Sequence, residues 1–233
     1  MPWSPPPNFL LLAPEEVHAW RARLELAAPL VERLRRTLSV EERERAARFR
    51  LPEAEARFTA ARGMLRDILA RYLDCDPSAL RFGYGPHGKP FLISPVGCSG
   101  LEFNLSHSHG MALCGVTQGR QIGVDVEKMR FSADWERIAA RFFSARESAM
   151  LLSLPSERRT EAFFRCWCLK EAYLKALGEG LSTPLASFDV SVSPGEPGRW
   201  ALTALDIEPG HAAAVVVEGQ GLRLRLWDWS PNS

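Results

Sequence analysis

Three carboxylates and an ammonium group lie in two short segments with the residue types for phosphate chemistry. Ile122-Gly123-Val124-Asp125-Val126-Glu127 has the two-residue alternation of a β-strand. Ile122, Val124 and Val126 therefore share one face, and Asp125 and Glu127 share the other. Further along, Trp167-Cys168-Leu169-Lys170-Glu171-Ala172-Tyr173-Leu174-Lys175 reads as a helix. At about 100° per residue, Glu171 and Lys175 fall on the same flank as Phe163, Phe164, Trp167, Cys168 and Leu174. On an exposed face this i,i+4 pair contributes only about 0.2–0.5 kcal/mol. Buried in an aromatic stripe, two charges cost several kcal/mol unless something compensates them. A lined cleft accounts for the pattern better than a surface pair. Mg²⁺ prefers oxygen ligands and commonly binds a few carboxylates together with substrate phosphate oxygens. Three uncompensated carboxylates in one cleft would repel each other. Asp125, Glu127 and Glu171 are therefore the expected metal ligands, with Lys175 beside them and a phosphate ester as the substrate class.

Other polar residues have weaker claims. His107 and His109 stand two apart in Asn104-Leu105-Ser106-His107-Ser108-His109, with no cysteine or third histidine to complete a zinc site. His107, next to Ser106, is either a satisfied strand-end histidine or a donor to a phosphate oxygen. Gly88-Lys89-Pro90 lacks the loop and helix of a Walker motif. It is a tight turn whose lysine is either merely exposed or presented to an anion. Arg45 and Arg62 lie on early helices; each is solvated or paired, or offers its planar fork to a phosphate monoester.

These side chains need a scaffold, and the hydrophobic pattern supplies one. Helices are expected over Pro14 to Leu26, from Ser39 with Glu42 completing a capping box, and from Glu53 to Leu73 after the Leu51-Pro52 break. Strands are expected at Leu101–Ser106, Met111–Thr117 and Gln121–Val126. Helices follow over Ala133–Ala145, Ala145–Leu152 and Ser156–Gly178. Strands close the chain near Phe188–Val192, Trp200–Leu205, Ala212–Glu218 and Leu222–Trp227. Each half runs from helices to strands, so the expected fold is α+β, with two similar lobes and the site in the cleft between them. The boundary is expected near Gly119–Gln121, giving lobes 1–120 and 121–233.

Composition excludes several classes. The chain has 233 residues, of which 46% are hydrophobic and 24% charged, and its net charge is +1. That is enough length for a substantial core and no global field for nucleic acid or an acidic membrane. No apolar run reaches membrane-spanning length, and the beginning of the sequence lacks the order of a secretion signal. Five cysteines form no disulfide-like framework. They are expected to be reduced packing residues of a cytoplasmic protein.

In order and spacing, these segments resemble the 4′-phosphopantetheinyl transferases, specifically the Sfp-type group, whose chain is a pseudodimer of two similar lobes. The resemblance runs from about Ser39 to Val192. It rests on Gly123 to Glu127 and Trp167 to Lys175, and is reinforced by Phe142-Phe143-Ser144 with Glu147, by Phe103 to Ser108, by Gly88-Lys89-Pro90 and by Ala61-Arg62-Gly63. Cys168 departs from the small hydroxyl residue or alanine common there, which concerns packing.

The resemblance implies transfer of the phosphopantetheine arm of coenzyme A to a serine of an apo acyl or peptidyl carrier protein, releasing adenosine 3′,5′-bisphosphate. It further implies Mg²⁺, with Mn²⁺ as the alternative, on Asp125, Glu127 and Glu171, and Lys175 neutralising the pyrophosphate. Ser106, His107 and Lys89 would contact phosphates, with Arg45 and Arg62 on the nucleotide side in the first lobe. The serine's proton would go to Glu171 or to a metal-bound water, and sequence leaves that choice open. Phe131, Trp135, Phe142 and Phe143 are either a carrier-docking surface or packing for the second lobe. The expectation is a monomeric cytoplasmic enzyme. Its rivals are a Mg²⁺-dependent phosphohydrolase and a non-catalytic carrier-binding module; intact Asp125, Glu127, Glu171 and Lys175 argue against the latter.

Overall fold

The computed structural model describes residues 2–94, 100–130, 135–178, 183–190 and 198–231. Strand β1 (Glu16–Arg23) comes first, followed by helices α1 (Ala28–Arg35), α2 (Val40–Ala46) and α3 (Pro52–Leu73). Next come the hairpin β2 (Arg81–Tyr84) and β3 (Pro90–Ser94), then β4 (Leu101–Ser108), β5 (Met111–Gln118) and β6 (Ile122–Lys128). The remainder comprises α4 (Trp135–Phe142), α5 (Ala145–Ser153), α6 (Ser156–Leu177), β7 (Trp200–Leu205), β8 (His211–Glu218) and β9 (Arg223–Asp228). Among the described residues no helix is long and apolar enough to cross a membrane.

Two sheets form the middle of the molecule, one ordered β4-β5-β1-β9 and the other β6-β8-β7. The order β4-β5-β1 in one repeats as β7-β8-β6 in the other. In each lobe a strand precedes the helices, and an antiparallel pair that joins its sheet, β4-β5 or β7-β8, comes after them. The sheets pack face to face: Val17, Ala19 and Leu113 meet Ile122, Val124, Val126, Val215 and Val217. On the outer side of the first sheet, Trp20, Ala22 and Leu24 meet Met64, Leu65 and Ile68 of α3. On the outer side of the second, Ala212, Ala214 and Val216 meet Cys168, Ala172 and Ala176 of α6. The helices α3 and α6 have 22 residues each, so the architecture is two-lobed α+β with a long helix on each outer face.

The helix expected over Pro14–Leu26 is instead β1. Its alanines, glutamates and arginines favour a helix locally. Its position between β5 and β9, however, buries Val17 and Ala19 on one face and Trp20 and Ala22 on the other. Tertiary packing on both faces overrides the local preference. Helix α1 and strand β3 have no counterpart among the expected elements. The strand expected at Phe188–Val192 is absent from 188–190, and 191–192 lie outside the described residues. Ser39 caps α2, and Glu42 completes the expected capping box. The expected boundary near residue 120 falls in the turn between β5 and β6. Strand β9 nevertheless returns from the second half to pair in parallel with β1.

Candidate active site

Gly123 lets the second lobe bring its two acidic segments together. A Cβ on Gly123 would lie 1.9 Å from the Ala172 carbonyl oxygen and 2.3 Å from the Ala176 nitrogen. The backbone of α6 therefore rests directly on β6, which any side chain larger than hydrogen would prevent. Asp125 and Glu127 lie on the same face of β6 as Gly123 and so face α6, which carries Glu171 and Lys175 one turn apart.

The other edge of β6 is held by side chains. Asn104 Oδ1 accepts from the Val124 N–H (2.9 Å), Ser106 Oγ from the Val126 N–H (3.4 Å) and Ser108 Oγ from the Lys128 N–H (3.3 Å). Three alternate residues of β4 thus satisfy three alternate amides of an edge strand, tying the lobes together where no backbone ladder runs.

Asp125 is 2% exposed. Its Oδ1 accepts from Ser106 Oγ (2.9 Å) and from Lys175 Nζ (2.6 Å), and the ammonium also donates to Ser106 Oγ (3.0 Å). Its Oδ2 is buried and, among the described residues, accepts no hydrogen bond of ordinary geometry. Burial raises the pKa of half-buried Glu127, and the charge of Asp125 adds to the rise, while a hydrogen bond from Ser108 (2.8 Å) opposes it. Burial also raises Glu171, reinforced by Asp125 and Glu127 and opposed by Lys175. Cys168, fully buried on α6, has its thiol pushed well above the ordinary value by burial and then by Asp125. Cys168, Glu171 and Lys175 therefore share one flank, as the helical count requires.

A buried carboxylate oxygen without a partner among the described residues, beside two carboxyls raised by burial and by neighbouring negative charge, leaves this corner short of positive charge. Among the described residues the carboxylates do not close into a metal-sized cluster, and Lys175 is the cation that Asp125 holds. The donor set is all oxygen, which suits Mg²⁺ or Mn²⁺ and not zinc.

Beside this group, Lys89, Asn104, Leu105, Glu171 and Lys175 line a cavity of about 270 Å³. A larger one, about 770 Å³, is lined by Arg45, Arg48, Arg62, Arg66 and Arg81 with Phe82 and Tyr84. His107, beside Ser106 on β4, is within electrostatic reach of Lys175 as well as of Arg45 and Arg62. It keeps solvent contact, yet surrounding protein lowers its pKa, as do Lys175, Arg45 and Arg62. Arg45 is exposed, its guanidinium 5.4 Å from the centre of the Phe58 ring.

Several expected contacts take a different form. Arg62 is buried, donates through Nε to Glu42 (2.8 Å) and reaches the Tyr84 hydroxyl (3.2 Å). Arg66, one turn on, donates to the other Glu42 oxygen (2.7 Å). Sequence assigns Glu42 only a capping role; the four-residue spacing of the two arginines is the signal that could have revealed the rest. Lys89 does not present its charge to an open surface. Its ammonium donates to the Ile122 carbonyl (3.0 Å), the Ala176 carbonyl (3.2 Å) and Gln121 Oε1 (3.4 Å). It thereby fixes the end of α6 to the first lobe and satisfies a terminal carbonyl. Lys89→Met should lower stability by about 1–3 kcal/mol, measured as a shift in urea midpoint, because those carbonyls lose their donor.

Trp135, Phe142 and Phe143 pack against Phe163 and Trp167, the packing alternative for these rings, and Phe131 lies outside the described residues. Lys170, which sequence reasoning misses, is fully buried. It pairs with Glu147 (2.7 Å) and donates to the Phe188 carbonyl (2.7 Å). Glu147 also accepts from the Ser144 and Val190 amides, both at 2.8 Å. Lys170→Met should therefore cost about 3–5 kcal/mol in chemical unfolding, since it strands a buried carboxylate.

Known proteins match the whole of this arrangement. Residues 27–117 match the family described as 4′-phosphopantetheinyl transferase, N-terminal, and residues 121–221 match the 4′-phosphopantetheinyl transferase superfamily. The 4′-phosphopantetheinyl transferase HetI of a Nostoc species is 43% identical over 233 residues, covering 97% of this chain and 98% of the relative. The 4′-phosphopantetheinyl transferase Sfp of Bacillus subtilis is 31% identical over 194 residues, covering 79% of this chain and 84% of the relative. With both lobes matched in order and near-complete coverage of a relative, the chain belongs to the 4′-phosphopantetheinyl transferase family, of the Sfp type.

Proposed function

We propose that the protein transfers the phosphopantetheine arm of coenzyme A to a serine of an apo acyl or peptidyl carrier protein. The serine Oγ forms a bond to the phosphorus attached to the pantetheine. The bond between that phosphorus and the bridging oxygen of the pyrophosphate breaks, and adenosine 3′,5′-bisphosphate leaves with the bridging oxygen. The observation that carries this reading is the buried Asp125 Oδ2, without a hydrogen-bond partner among the described residues, in a group where Lys175 pairs with the other Asp125 oxygen and Glu127 and Glu171 feel the charge of Asp125. Asp125, Glu127 and Glu171 would hold Mg²⁺, or Mn²⁺ in its place. Once bound, that ion neutralises pyrophosphate charge and polarises the phosphorus–oxygen bonds.

The protein's own groups do the rest. Arg45 and His107 bind the nucleotide side, Arg62 adds its charge from behind while paired with Glu42, and the cation density around His107 suits a phosphate. Lys175 leaves Asp125 for the pyrophosphate and supplies the proton for the departing nucleotide phosphate. Glu171, which lines the smaller cavity beside Lys175, accepts the proton of the serine. Lys89 and Ser106 border the phosphates but spend their polar atoms on protein, so their contribution is to hold α6 and Asp125 in place. Residues 1–120 form the lobe that binds the nucleotide, and 121–233 the lobe that supplies the carboxylates. Because one chain supplies both sides of the cleft, a monomer suffices, and coenzyme A and carrier proteins point to the cytoplasm.

Incubation with apo carrier protein, coenzyme A and Mg²⁺ should raise the carrier's mass by one phosphopantetheine group, and omission of the metal should prevent it. Unchanged mass across several acyl and peptidyl carriers would overturn the proposal.

A further inference from the structure

We infer that Ser108 is a positioning residue for Glu127, fixing that carboxylate for cation binding; the inference rests on the reading of Asp125, Glu127 and Glu171 as the cation's ligands. Ser106 and Ser108 are two apart on β4, and Asp125 and Glu127 are two apart on β6. Ser106 Oγ donates to Asp125 and accepts from the Val126 amide. Ser108 Oγ repeats the pattern two residues along, donating to Glu127 Oε2 (2.8 Å) and accepting from the Lys128 amide (3.3 Å). Each serine thus grips one carboxylate and the backbone N–H that follows it.

The polarity of the Ser108 contact follows from Glu127, whose carboxylate oxygen accepts while the hydroxyl donates. His109 Nδ1 lies 3.1 Å from Ser108 Oγ. The Lys128 amide fills one acceptor site of the hydroxyl, and an Nδ1–H tautomer of His109 would fill the other, which leaves the hydroxyl proton for Glu127. His109 adopts φ 46° and Gly110 φ 83°, a tight turn that keeps the ring beside its neighbour. Asp125 is fixed twice, by Ser106 and by Lys175. Glu127 has one more rotatable bond and sits in a more open position, so a hydroxyl anchored to the strand removes freedom that a binding ion would otherwise have to remove. Ser108 itself is 9% exposed and therefore acts from the protein side of the site.

The test is Mn²⁺ binding to the metal-free protein, followed by electron paramagnetic resonance of the free ion, with transfer measured separately across a metal titration. Ser108→Ala should weaken Mn²⁺ binding about 10-fold or more, the range for losing a partner that orients a ligand. At saturating metal its kcat should return toward wild type, while the metal concentration needed rises. Ser108→Thr, which keeps the hydroxyl, should bind nearly as wild type. The double variant Ser108→Ala with Glu127→Gln should bind no worse than Glu127→Gln alone, because the serine then has no carboxylate to hold.

Wild-type affinity in Ser108→Ala, or losses that multiply in the double variant, would overturn the inference while leaving the cation reading intact. Absence of Mn²⁺ binding in the wild type and no metal dependence of transfer would overturn that reading, and the inference with it. If Ser108→Ala does not melt cooperatively, Ser108→Cys, with its weak S–H donor, takes its place and should show the same loss.

Discussion

Gly123→Ala should nearly abolish transfer and destabilise the protein together. The added methyl would meet the Ala172 carbonyl oxygen at 1.9 Å, the Ala176 nitrogen at 2.3 Å and the Lys175 carbonyl carbon at 2.9 Å. All three are helix backbone, which has no rotamer to yield. Strand and helix must separate, and overpacking of this kind costs about 1–3 kcal/mol, sometimes more. The functional cost is larger. Glu171 and Lys175 ride on the same stretch of α6, so a shift of about 1 Å between helix and strand misplaces them against Asp125, enough for a loss on the order of 100-fold. The check is a carrier-modification rate and a thermal melt on the same preparation. A variant that transfers at the wild-type rate would show that the spacing of β6 and α6 is not what assembles the site.

That glycine also shows what the sequence makes legible. The alternation around it places Asp125 and Glu127 on one face, and the helical count places Glu171 and Lys175 in the apolar stripe; both arrangements are local, so residue spacing carries them. The reason for Gly123 is not local. It lies in the backbone of a helix far along the chain, and nothing in the strand announces it.

The same distinction holds elsewhere in the molecule. The capping box of Ser39 and Glu42 spans one helical turn and is legible, but the ion pairs of Glu42 with Arg62 and Arg66 join two helices and are not. Strand β1 reads as a helix because its edge partners, β5 and β9, and the layers that cover its two faces, α3 and the second sheet, all lie at distant positions in the sequence. Asn104, Ser106 and Ser108 alternate along β4, and the family resemblance gives a role, as a phosphate contact, to Ser106 alone among them. Their alternation has a simpler cause: each meets an amide on the facing edge of β6, at the same two-residue period. Lys89, likewise, is recognisable as a charge on a rigid turn, but the carbonyls it reaches belong to the other lobe.

Glu171→Gln should separate stability from function in opposite directions. Burial, and then the charges of Asp125 and Glu127, hold the Glu171 carboxyl above its ordinary range. A carboxyl whose pKa is higher folded than unfolded binds its proton more tightly in the native state. Its ionised form therefore weakens the fold at neutral pH, and the penalty is relieved as pH falls through the raised folded value toward the ordinary 4.5. In metal-free buffer at neutral pH, Glu171→Gln should accordingly melt at or above the wild-type temperature. The gain in wild-type stability on mild acidification above the ordinary carboxylate range should shrink in the variant.

Transfer should move the other way, falling on the order of 100-fold or more, because the neutral amide supplies neither a negative ligand for the cation nor a base for the serine. Melts in a chelator across that pH window, alongside transfer assays at saturating Mg²⁺, read both quantities. A carboxylate kept for folding would give the reverse result, a lower melting temperature with transfer intact. Stability gained and activity lost at one position is what a charge held against its own preference for the sake of a ligand must produce.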